Sequence, residues 1–152
     1  MRVSGPDIYF EHEPAPETLR QASVSVFGVP SDTVVVTRML SDVALHALRS
    51  DDVLIIWQRE TDDQPGDFPA HYLLEIPAST QNLETLLSHL ATATHVPFVV
   101  TANDSDPGDI VFYDGDGSRK AFTADLRADE DYAIRLPDTL AVERRVHRPV
   151  AI

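Results

Sequence analysis

A chain of 152 residues, 43% of them apolar, is long enough to bury one substantial core and too short to bury two. Its formal charge of −13 argues against a nucleic-acid backbone or an anionic lipid surface as a direct partner, and the absence of cysteine removes disulfides, thiolate nucleophiles and cysteine-ligated metals. No run approaches the roughly 18 apolar residues of a membrane span, and the opening MRVSGPDIYF holds no apolar signal core, so a cytoplasmic protein is expected.

Taken in chain order, DIYFEHE (7–13) reads as a strand closed by Pro14 and Pro16, followed by a short helix over 17–22. SVSVFG (23–28) alternates apolar and small polar residues, which predicts a half-buried strand ending at Gly28. Valines predict a strand over 33–37, while Leu40, Val43, Ala44, Ala47 and Leu48 recur at helical spacing and predict a helix over 41–49 capped by Ser41. VLIIWQ (53–58) is apolar on both pleat faces and so belongs in the middle of a sheet, with Trp57 as a core residue. HYLLEIP (71–77) is its expected neighbour across the acidic, proline-containing loop TDDQPGDFPA. Leu83, Leu86, Leu87, Leu90 and Ala93 form the stripe of a helix capped by Ser79 or Thr80 and stopped by Pro97. PFVVTA (97–102) then completes a β-α-β unit. The last third reads as a meander, DIVFY, RKAFTADL and DYAIRL, with Phe122, Ala124 and Leu126 on one face. A tail follows that gathers Arg144, Arg145 and Arg148. The expected fold class is α+β, a single domain over 1–152 with a mostly antiparallel sheet and about two main helices packed on one face. The pattern leaves room for a flexible tail over 138–152.

Residues 104–126, DSDPGDIVFYDGDGSRKAFTADL, hold six aspartates and invite comparison with a calcium loop. Counted from Asp114, oxygen ligands fall at Asp114, Asp116, Ser118 and Asp125, yet the position that needs glycine holds Arg119, and both flanks read as strands where the motif needs helices. A strand over 110–113 also holds Asp104, Asp106 and Asp109 about 13 Å from Asp114 and Asp116, too far to share one ion. DGDG is a hairpin signal, because glycine and aspartate supply the positive φ of a tight turn. No metal site and no cofactor are therefore expected.

Six histidines show no metal-ligand spacing. Asp42 and His46 lie one helical turn apart, and His71 and Glu75 share a strand face, so each pair is a candidate acid–base dyad. No nucleophile-elbow, phosphate-loop or dinucleotide-binding glycine pattern occurs. Loop residues Asp62, Asp63 and Asp67 surround Phe68, an apolar anchor with an acidic rim that suits a basic protein surface, unless Phe68 folds back onto the core. Asp104, Asp106, Asp109, Asp114 and Asp116 offer a second acidic contact. The leading expectation is a non-enzymatic binding protein of the immunity or antitoxin type, covering a basic partner such as a toxin. Its rivals are a small enzyme or ligand-binding domain that uses the histidine pairs, a self-associating module, and acidity that reflects only the composition of the host.

Overall fold

Burial on both pleat faces makes the doubly apolar segment the middle of the fold. In the computed structural model of the chain, which describes residues 1–101, 109–123 and 133–137, Ile55–Arg59 is buried at every position. In chain order the elements are β1 (Arg2–Ser4), β2 (Ile8–Phe10), α1 (Pro16–Phe27), β3 (Val34–Arg38), α2 (Asp42–Arg49), β4 (Ile55–Arg59), β5 (Ala70–Pro77), α3 (Leu83–Thr94), β6 (Phe98–Thr101), β7 (Asp109–Tyr113) and β8 (Arg119–Thr123). A single eight-stranded sheet runs β3-β4-β5-β2-β6-β7-β8, with β1 also on β5, and only β3 and β4 pair in parallel. β1 and β2 lie end to end along one edge of β5, interrupted at residues 5–7, where Pro6 has no N–H to offer the ladder. The molecule is a mostly antiparallel α+β domain. Among the described residues no helix is long and apolar enough to cross a membrane.

Three crossovers organise the helices, the first carrying the chain through α1 from β2 to β3, which runs the same way at the far edge of the sheet. β3 and β4 are joined by α2; β5 and β6, both antiparallel to the β2 strand between them, are joined by α3. The expected β-α-β unit is thus present, with a strand inserted into it. The α2 and α3 units point in opposite directions along the sheet, so right-handed crossovers place α2 and α3 on opposite faces. Burial agrees. α1 and α3 pack together over Ile8, Phe10, Trp57, Leu74, Ile76 and Phe98. α2 instead turns Ala44 and Ala47 onto β3 and β4, and its last carbonyls accept hydrogen bonds from Arg2, whose guanidinium also lies 3.7 Å from Glu75 on the other pleat face. A cation at that end of a helix also complements its dipole.

The expected strand over 23–28 is helix. Leu19, Ala22 and Ser23 form the buried stripe of α1, and Gly28 ends it in the left-handed conformation at φ 67. The serine–valine alternation misleads because Ser23 is a core residue: its hydroxyl donates to the Leu19 carbonyl at 2.7 Å and accepts from the Trp57 indole N–H at 2.9 Å. Ser41 does cap α2, accepting from the Ala44 N–H at 3.1 Å. Ser79 and Thr80 do not cap α3. Thr80 turns back to the Pro77 carbonyl through both its N–H and its hydroxyl, and the helix starts after Asn82, held at φ 56. Ala93 is exposed, and the buried stripe of α3 is Leu87, Leu90, Ala91 and Thr94.

Of the expected third meander strand, Ile134 is described, bridging Gly66 in parallel. Gly66 sits at φ 105, and a Cβ there would run into the Ile134 carbonyl, so no other residue permits the approach. Ala124, Leu126 and the arginine tail lie outside the described residues.

Candidate functional site

The acidic loop between β4 and β5 is held from inside. Phe68 is fully buried in a second cluster with Val99, Ile110, Phe112 and Ile134, so it is not a surface anchor. The cause is the sheet itself: no described helix covers β6 and β7 on this face, and the loop supplies the missing apolar cover. Asp67 accepts from the Leu136 N–H at 2.9 Å and donates its own N–H to the Ile134 carbonyl at 2.8 Å. Asp63 pairs with Arg59, whose side chain is only 9% exposed and also reaches Glu13 at 3.4 Å, the Glu60 carbonyl at 2.9 Å and the face of Tyr72. Asp62 is exposed and has no such tie among the described residues.

The aspartate-rich hairpin uses its carboxylates locally. Asp114 accepts from the Gly115 N–H and Asp116 from the Ser118 N–H, each at 2.8 Å, and Gly117 takes φ 87. Asp109 accepts from the Thr123 hydroxyl across the β7–β8 pair at 3.3 Å. Asp104 and Asp106 lie outside the described residues. Among the described residues no three histidine or carboxylate side chains gather into a metal-ligand set.

The candidate dyads resolve differently from their sequence spacing. Asp42 and His46 are both exposed on α2, and no hydrogen bond joins them. Glu75 faces Arg2, and His71 takes Asp7 as its partner, Nε2 to Oδ2 at 3.2 Å, while its ring stacks on Tyr9 at 4.2 Å and 14°. The β2–β5 register places Tyr9 beside His71 and brings Asp7 within reach, a relation with no signal in the local sequence of either strand.

Burial pushes up the hydroxyls of Tyr9, Tyr72 and Tyr113. The Tyr72 hydroxyl is pushed up to about 12, first by desolvation and then by Glu13, and that of Tyr9 also to about 12, by desolvation and then by Asp7 and Glu60. A folded-state value above the unfolded one favours the neutral form, so this stability is complete below pH ~10 and is lost as the pH rises from about 10 to about 12. The midpoint of urea unfolding should therefore fall steadily across that window, and a Tyr72→Phe variant, which has no hydroxyl to ionise there, should show a shallower fall.

Apart from Met1 and Val3 at the start of the chain, the large exposed apolar residues among those described collect on α2 and the turn before it. Leu40 is 78% exposed, Val43 57%, Leu45 43% and Leu48 40%. Leu40 also sits at φ 61, a conformation that costs a branched residue about 1–2 kcal/mol and is kept where something else requires it. With Ala44 and Ala47 facing the sheet, Leu45 and Leu48 fall on one flank of α2 and Val43 and His46 on the other. The right-handed crossover turns the leucine flank toward β5. There, between α2 and the second cluster, half-buried His71, Leu73, Glu75 and Tyr9 form the floor. Exposed Asp42 precedes this flank and exposed Asp51 and Asp52 follow it. Exposed apolar side chains with carboxylates near them, the pattern expected around Phe68, occur here instead. Sequence reasoning missed it by assigning Leu40, Val43 and Leu48 to the buried stripe of the helix.

Comparison with protein-family models, with curated proteins and with solved structures finds no match for the chain.

Proposed function

We propose that this α+β domain is a non-enzymatic, cytoplasmic binding protein that covers a basic surface of a partner protein, as an immunity protein or antitoxin covers the cationic site of a toxin. The observation that carries the reading is the exposure of Leu45 and Leu48 on one flank of α2 and of Leu40 in the turn before it, with exposed Asp42, Asp51 and Asp52 at the two ends of the helix. Leucines desolvated at the centre of a contact supply affinity, and the carboxylates around them select a cationic partner and speed its approach. Asp62 and, at the other end of the sheet from α2, the acidic hairpin residues Asp109, Asp114 and Asp116 remain separate candidate contacts, as do Asp104 and Asp106 from the sequence. Asp63 and Asp67 serve chiefly to hold the loop in place.

The test is capture from the source lysate at low and high salt, with the wild type beside Leu45→Ser/Leu48→Ser and Asp51→Asn/Asp52→Asn. A basic protein retained by the wild type, released by salt and lost from both variants is the expected result. Retention that neither variant alters sinks the assignment to α2. A second reading, acid–base chemistry at His71, is favoured by the Asp7 contact and the Tyr9 stack. His71→Gln separates the two readings, because it should leave partner capture unchanged.

A further inference from the structure

α2 has little of its own to hold it to the domain. It is eight residues long, short of the roughly 12–15 at which an isolated helix becomes even marginal in water, and Ala44 and Ala47 are its only buried residues. Val43, Leu45 and Leu48 stay exposed, so the large apolar side chains that α1 and α3 bury have no counterpart here. Polar ties take their place at both ends. Ser41 caps the start, and its hydroxyl lies 2.9 Å from that of Thr37 on β3. At the other end one side chain from a distant part of the sequence closes the helix. Arg2, on β1, donates through Nη2 to the carbonyls of Ala47 and Leu48 at 3.2 and 3.0 Å, and through Nη1 to that of Ser50 at 2.8 Å and to that of Val53. These four acceptors run from the last turn of α2 along the connection to β4. Arg2 is itself held, because its backbone is laid on β5 opposite Pro77, its Nε lies 3.7 Å from Glu75 and its side chain is only 10% exposed.

We infer that α2 and the connection after it, residues 42–53, form a unit that opens on its own, and that Arg2 is the latch that keeps it closed. Local opening is governed by how few apolar contacts tie a segment to the rest, and without the guanidinium this one keeps only its cap and two alanines. A planar fork suits the task, since it reaches several carbonyls at once. Leu45 and Leu48 ride on the unit. Arg2 is therefore a positioning residue for the binding role proposed above, a consequence that rests on that reading. It keeps the two leucines ordered before a partner arrives, so that binding does not have to order them.

Amide hydrogen exchange of the purified chain, read by mass spectrometry of its peptides, tests the latch with no partner present. In the wild type the amides of residues 45–49 should exchange faster than those of 87–94 in α3, by local opening. Arg2→Met keeps an apolar stem and removes every donor, and it should speed the α2 amides by about 10- to 100-fold while leaving α3 unchanged. Arg2→Lys should recover part of the protection. Exchange of α2 at the rate of α3 in the wild type would show that α2 opens only with the whole domain. An α2 indifferent to Arg2→Met, or equal acceleration of both helices, would remove Arg2 as its latch. Each of these results overturns the inference, whereas failure to capture a partner from lysate bears on the binding role alone.

Discussion

Replacing Arg59 by alanine is expected to lower stability by about 2–4 kcal/mol, an effect read from the midpoint of urea unfolding. The guanidinium is nearly buried at the end of β4 and ties together three segments that are distant in sequence: Glu13 from the turn before α1, the Glu60 carbonyl and Asp63 from the acidic loop, and the ring of Tyr72 on β5. Its carboxylate partners are half or more exposed, so they return to water when the cation is removed, which keeps the loss below that of a sealed ion pair. What is lost outright is packing over Tyr72 and the tether of the loop. Arg59→Lys should recover only part of the loss, since an ammonium has no planar fork to divide among these partners. A loss below about 1 kcal/mol for the alanine variant would show that the network is a surface decoration. The consequence for function is practical, because Asp63 and Asp67 cannot be neutralised as test residues without loosening the loop they hold.

Trp57→Ala is expected to cost about 3–5 kcal/mol, the range of large aromatic truncations in a core. Its indole is wholly buried, lies edge-on to Tyr72 at 5.8 Å and touches Phe10 at 6.1 Å. The N–H has Ser23 as its acceptor, so Ser23→Ala alone should cost about 1–3 kcal/mol by leaving a buried donor unpaired. Trp57→Phe removes the donor, and the double variant should then lose less than the sum of the two single losses. Additive losses in that cycle would show that the hydrogen bond contributes nothing.

The helix over 23–28 shows where local pattern misled. Alternation of serine and valine has the period of a strand, but a serine hydroxyl can bond back to a helical carbonyl and enter a core when a second partner waits there. That partner, Trp57, lies on another element, and no window of sequence contains both. The cap of α3 misled similarly, since Thr80 found a nearer acceptor at Pro77. In α2 the period was right and the depth was not. Leu48 and Val43 share helical spacing with Ala44 and Ala47, yet among the described residues the helix rests chiefly on β3 and β4 and sinks no deeper than its alanines.

By itself the sequence determined the α+β class, a central strand read at 53–58 and its neighbour at 71–77, the capped helix after Ser41 and the aspartate hairpin, because each depends on periodicity, turn chemistry or charge within a few residues. Tertiary structure alone decided that β2 enters between β5 and β6, that α2 lies across the sheet from α1 and α3, and that His71 meets Asp7 rather than Glu75. It also drew Phe68 inside and left the leucines of α2 outside. Those outcomes follow from which apolar sheet face lacked a helix to cover it, a property of the assembled layers that no single segment carries.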